Sequence, residues 1–144
     1  MARGLATATL RVLIDRVGVA RYYRRMRISH IDHVQLAMPK GKEAKAAAFY
    51  VGALGLVAVE KPEALKANGG VWFGNEGVNI HLGVDTDFRA AKKAHPALRV
   101  DDLDALAVRL EAAGFAAVWD DRLPNTRRFY SDDPYGNRIE FLAL

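Results

Sequence analysis

Residues 31–38 read Ile31-Asp32-His33-Val34-Gln35-Leu36-Ala37-Met38, and residues 94–100 read Ala94-His95-Pro96-Ala97-Leu98-Arg99-Val100. Each stretch carries His-x-x-Leu-x followed by Met or Val, and each leads into a helix-like segment, a glycine and three strand-like runs. In the first half the pattern predicts a helix over residues 43–51, a stop at Gly55, and strands over 56–60, 71–74 and 78–84. In the second it predicts a helix over 103–113, a stop at Gly114, and strands over 116–119, 127–131 and 138–143. Leu103, Leu106 and Leu110 form the buried stripe of the second helix, Asp101 or Asp102 caps its start, and both glycines suit a left-handed C-terminal stop. The order βαβββ occurs twice, which is the signature of an internal duplication. The expected fold class is α+β, with two βαβββ repeats forming curved mixed sheets around a cleft.

The two halves superimpose on their chemistry as well as on their elements. His33 matches His95. Gly77 precedes His81 by four residues and Gly136 precedes Glu140 by four, so His81 matches Glu140. Strand alternation sets His33 with Gln35, away from Val34, Leu36 and Met38, and sets His81 opposite Ile80 and Leu82. Glu140 falls between Ile139 and Phe141, where a carboxylate is costly to bury unless it is paired or bound to a metal. The chain has no cysteine, so a metal site must use histidine and carboxylate. His33, His81, His95 and Glu140 are the candidate ligands, with His81 and Glu140 also the candidate catalytic groups.

Other candidates surround them. Arg128 and Tyr130 share one face of the seventh strand and Arg127 lies on the other, and one of these arginines suits an anionic substrate through a bidentate contact. Gln35 shares the His33 face and is placed to orient a ligand. Arg138 is expected to pair with Asp132 or Asp133. Trp72, Phe73 and Trp119 read as packing residues of the core or of a dimer contact.

A length of 144 residues fits one domain or two half-domains sharing a core, and a 51% hydrophobic content supports a packed interior. The net charge of +4 is unevenly spread. Residues 1–27 hold seven arginines against Asp15 alone, leaving residues 28–144 slightly acidic, so the basic total gives the body no nucleic-acid signature. Residues 1–27 read as a basic extension or mis-started leader in which Leu10, Leu13, Ile14 and Val17 have helical spacing. No apolar run is long enough to span a membrane, and a cytoplasmic location without stable membrane insertion is expected. The domain comprises residues 28–144, with repeats at 28–84 and 94–144. Each half supplies one small sheet with an open edge, which predicts a homodimer.

Four groups of residues together resemble the vicinal oxygen chelate superfamily, the glyoxalase, bleomycin-resistance and extradiol-dioxygenase proteins. They are Ile31-Asp32-His33-Val34; Phe49-Tyr50 with Leu54-Gly55-Leu56; Ala94-His95 with Arg99-Val100-Asp101-Asp102-Leu103; and the run from Asp132 through Asp133-Pro134-Tyr135-Gly136-Asn137 to Glu140. The resemblance implies a glyoxalase-like fold over residues 28–144. It also implies metal ligands on the first, fourth, fifth and eighth strands, which fall on His33, His81, His95 and Glu140. The implied cofactor is a divalent ion, and the donor set does not choose among Zn, Ni, Mn and Fe. The implied function is a metal-dependent lyase or isomerase acting on a small substrate that chelates through two oxygens. The alternatives are a metal-free antibiotic-binding protein or a ring-cleaving dioxygenase. In glyoxalase I the fourth-strand position is glutamate; His81 there argues against glutathione-dependent activity.

Overall fold

The computed structural model describes residues 27–144 and, before them, the backbone of Leu13–Ile14 and Ala20–Arg21. Two compact units are present, Met1–Ile31 and Asp32–Leu144. In the first, β1 (Leu13–Ile14) pairs antiparallel with β2 (Ala20–Arg21). The helical reading of Leu13 and Ile14 is thereby corrected: their backbone bonds go across a ladder. Leu10 and Val17 lie outside the described residues.

The second unit is the duplicated body. Its first module runs β3 (Val34–Met38), α1 (Glu43–Ala47), a wide-turn π-helical segment (Ala48–Ala53), β4 (Val57–Val59), the short α2 (Glu63–Lys66), β5 (Val71–Gly74) and β6 (Asn79–Val84). The second module runs β7 (Ala97–Val100), α3 (Leu103–Ala112), β8 (Val118–Trp119), β9 (Arg128–Asp132) and β10 (Arg138–Ala143). The sheets have orders β3-β6-β5-β4 and β7-β10-β9-β8, each with its first pair parallel and the rest antiparallel. Both are open sheets. Asp102 caps α3 by accepting from the Ala105 amide at 2.9 Å, and Gly114 beyond the helix has φ +84.

One hydrophobic core serves both modules. Leu36, Met38, Phe73, Ile80 and Leu82 of the first sheet belong to the same buried cluster as Phe129, Ile139 and Phe141 of the second and Leu103, Leu106 and Leu110 of α3. Phe49 and Tyr50 are both fully buried, and Phe49 meets Phe115 edge-on at 4.8 Å. Each sheet therefore gives one face to the common core. The faces that carry His81 and Glu140 are the outer ones.

Candidate functional site

The strand registers build the same constellation in each module. In the first, Gln35, two residues after His33, is the parallel partner of His81, and Trp72 lies across the β5–β6 hairpin from it. In the second, Ala97, two residues after His95, is the parallel partner of Glu140, and Tyr130 lies across from it on β9. Equivalent positions thus hold a histidine, a second ligand-type residue and an aromatic ring.

In the first module the rings form a column. Trp72 stacks on His81 with centroids 4.0 Å apart and 6° between planes, and His81 stacks on His33 at 4.1 Å and 19°. His33 Nδ1 donates to Asp32 Oδ2 at 2.8 Å, which leaves Nε2 with its lone pair. Burial, and then the neighbouring His33, lower the His81 pKa below the ordinary imidazole range, which favours its neutral form.

In the second module the loop before β7 is laced to β10. The Arg138 amide donates to Ala91 O at 2.8 Å and the Glu140 amide to Pro96 O at 3.0 Å, which sets His95 against Glu140. His95 Nδ1 is 2.8 Å from the Lys93 carbonyl, an acceptor only, so Nδ1 carries the hydrogen. Nε2 then faces Glu140 Oε2 at 3.2 Å. A lone pair and a carboxylate oxygen at that distance require a proton or a cation between them. Two ligand atoms each ~2.1 Å from one cation, at roughly a right angle, lie about 3 Å apart. The donor chemistry of this pair therefore fits a divalent metal.

Glu140 Oε1 is occupied separately, accepting from Arg128 Nη1 at 2.8 Å. Arg128 Nη2 reaches Asp120 Oδ2 at 3.2 Å, and Arg122 forks onto Asp120 at 2.9 and 2.5 Å. The Arg122 fork holds the Asp120 carboxyl well below the usual carboxylate range. Arg128 is thus a clamp on Glu140, a different task from the substrate contact expected of it. Arg127 is bound elsewhere: it forks onto Asp104 at 2.9 and 2.7 Å and lies over the Trp119 ring. Tyr130 keeps the expected face, with its ring 5.5 Å from His95 in an edge contact and flanked by the Arg128 and Arg138 guanidinium groups. Gln35 lies against Gly83, where a Cβ would come within 2.8 Å of its amide nitrogen. Arg138 pairs with neither expected aspartate. Asp132 is taken by Lys92 at 2.6 Å, and Asp133 by Tyr50 and Asn137.

The four candidate ligands come together as two pairs, His33 with His81 and His95 with Glu140. Among the described residues no three His, Asp or Glu side chains group as one cation site. Beside the second pair opens a cavity of about 590 Å³ lined by Trp119, Asp120, Tyr130, Asp132 and Arg138 among others. Two participants stand outside the candidates drawn from sequence, Trp72, which reads there as a packing residue, and Asp120. Trp72 was legible in principle, because the Gly74 to Asn79 turn fixes the hairpin register that sets it opposite His81. Asp120 was not, since it leaves the strand pattern at the end of β8.

Residues 30–141 match the family model for the Glyoxalase/Bleomycin resistance protein/Dioxygenase superfamily. A glyoxalase family protein from Bacillus anthracis is 44% identical, with 83% of this chain and 98% of that one covered and a TM-score of 0.79. TnmS3, an antibiotic binding protein from Streptomyces sp. CB03234, is 27% identical over 83% of this chain and 98% of that one, with a TM-score of 0.61. Lactoylglutathione lyase from Agrobacterium tumefaciens shares the fold at 24% identity, with 82% of this chain and 96% of that one covered and a TM-score of 0.62. No curated protein matches the chain. The duplicated βαβββ modules, the matched histidine and glutamate positions and the agreement over residues 30–141 lead to one conclusion: the chain belongs to the glyoxalase, bleomycin resistance protein and dioxygenase superfamily.

Proposed function

We propose that this protein is a divalent-metal-dependent enzyme of the lyase or isomerase type, acting on a small substrate through two neighbouring oxygens. We also propose that each site joins His33 and His81 of one protomer to His95 and Glu140 of a second copy. The observation that carries the reading is the His95–Glu140 pair, whose Nε2 and Oε2 face each other at 3.2 Å while Lys93 fixes the ring tautomer. The equivalent pair on the other module, with His33 oriented by Asp32, supplies the complementary half. When bound, a divalent ion supplies Lewis-acid stabilisation of negative charge developing on a substrate oxygen. Arg128 holds one oxygen of Glu140 and leaves the other toward His95. His81, whose enclosure favours the neutral imidazole, either completes the shell as the fourth ligand or, when off the metal, accepts and returns a proton.

Element-resolved metal analysis of untagged protein, purified without chelator, tests this reading together with Glu140→Gln. One divalent ion per chain is expected in the wild type. The variant removes a ligand charge at constant size and loses metal affinity by about tenfold or more. Turnover falls in parallel on whichever of the 2-oxoaldehyde–thiol adducts, acyl thioesters, epoxides or catechols proves to be the substrate. A wild type that takes up no metal overturns the proposal. It would favour a metal-free antibiotic-binding protein, the reading supported by the likeness to TnmS3 and by the aromatic lining of the cavity.

A further inference from the structure

Of Arg127, Arg128 and Arg138, two are spent on carboxylates. Arg127 closes on Asp104, and Arg128 closes on Glu140 and Asp120. The guanidinium of Arg138 has no carboxylate partner among the described residues. It lies over the Tyr130 ring at 5.3 Å and lines the cavity of about 590 Å³. Other charges around that cavity are neutralised, Asp120 by Arg122 and Arg128 and Asp132 by Lys92, while Asp121 is exposed to solvent. The Arg138 main chain is fixed by its bond to Ala91 O. Arg138 and Glu140 share one face of β10, two residues and therefore roughly 7 Å apart along the strand. A guanidinium laid on an aromatic face keeps its edge N–H groups outward, and their fork fits a carboxylate or phosphate.

We propose that Arg138, seated on Tyr130, is an oxyanion subsite that selects substrates carrying an anionic group a few bonds from the two chelating oxygens. This inference rests on the function proposed above. The substrate class is a small hydroxy or oxo compound with a distal carboxylate, phosphate or phosphonate.

The test is calorimetric titration of the full-length chain with malate, 3-phosphoglycerate and lactate. All three share the 2-hydroxy acid head, and only the first two carry a distal oxyanion. Co²⁺ uptake is measured separately by absorption for each protein. The wild type should prefer malate or 3-phosphoglycerate over lactate by about tenfold or more, as expected for a charge-assisted bidentate contact. The better of the two identifies a planar or a tetrahedral group. Arg138→Gln should erase the preference with Co²⁺ uptake unchanged, Arg138→Lys should keep part of it, and Arg127→Gln should keep all of it. Equal or undetectable binding of the three probes by the wild type, or a preference that survives in Arg138→Gln, overturns the subsite. A wild type that binds no Co²⁺ but keeps the Arg138-dependent preference overturns the metal reading and leaves the subsite standing.

Discussion

Glu140 is accommodated between Ile139 and Phe141 because its two oxygens meet different partners, Arg128 at 2.8 Å and His95 at 3.2 Å. Pairing of this kind offsets the cost of placing a carboxylate in a mostly apolar strand. The matched position in the other module reaches a different solution, with His81 held between two rings. Nearly parallel imidazoles 4.1 Å apart keep their in-plane lone pairs in separate, nearly parallel planes, which do not meet at one ion. If His33 and His81 both bind metal, one of them must turn out of the stack, and the packing against Trp72 changes with it. In a Trp119→Phe background, which leaves Trp72 as the single indole, Zn²⁺ should shift the emission and saturate at one equivalent per chain. An emission spectrum unmoved by stoichiometric Zn²⁺ would show that the stack does not open.

The segment Ala48–Ala53 and the turn after β9 lock the modules together. Tyr50 donates to Asp133 Oδ2 at 2.9 Å. Asp133 Oδ1 also accepts from the Tyr135 and Asn137 amides, and Asn137 Nδ2 donates to Ala37 O in the first module. Loss of a bond to a buried charged group costs about 1.5–3 kcal/mol, so Tyr50→Phe should lower the unfolding free energy by that amount in chemical denaturation. Burial, reinforced by the Asp133 charge, raises the Tyr50 pKa well above its ordinary value of 10.0. The unfolded chain therefore ionises first. The Tyr50 contribution is intact below about pH 10 and is lost as pH rises beyond it, so the wild type should destabilise more steeply than Tyr50→Phe in alkali. Elements such as these differ in how far they can be read from residues. Alternation and the repeated His-x-x-Leu motif were sufficient for β3, β5, β10 and an aspartate cap on α3, because a buried face dictates a period and a cap needs only an aspartate at the helix start; the structure chooses Asp102 over Asp101. The π-helical widening from Ala48 was hidden, since Leu54 bonds back to Phe49 in a turn shaped by contacts with the other module. Arg127 was misplaced for a similar reason: β9 begins at Arg128, and its partner Asp104 sits 23 residues away at the start of α3.

At the scale of the whole molecule, the shared core decides where chemistry can occur. Because Phe73 and Ile80 of one sheet and Phe129 and Phe141 of the other are buried in the same cluster, the outer faces of the two sheets carry the ligand pairs separately. In the proposed assembly, a second copy related by a two-fold axis would supply each pair with its complement through an isologous contact. Val57 and Val59 on β4 and Val118 and Trp119 on β8 are exposed apolar residues at the sheet edges, as expected of surfaces that a second copy covers. The arrangement has a consequence that a site within one chain does not share. A protomer with His33→Ala and His81→Ala and a protomer with His95→Ala and Glu140→Ala are each dead alone. In a mixed dimer, one of the two sites receives both intact halves. The most direct measurement is therefore metal content after the two variants are co-refolded at equal concentration. Random pairing makes half of the dimers mixed, so about one quarter of the wild-type metal content should return, with each variant refolded alone near zero. No recovery in a sample shown by mass spectrometry to contain mixed dimers would contradict a site shared between copies.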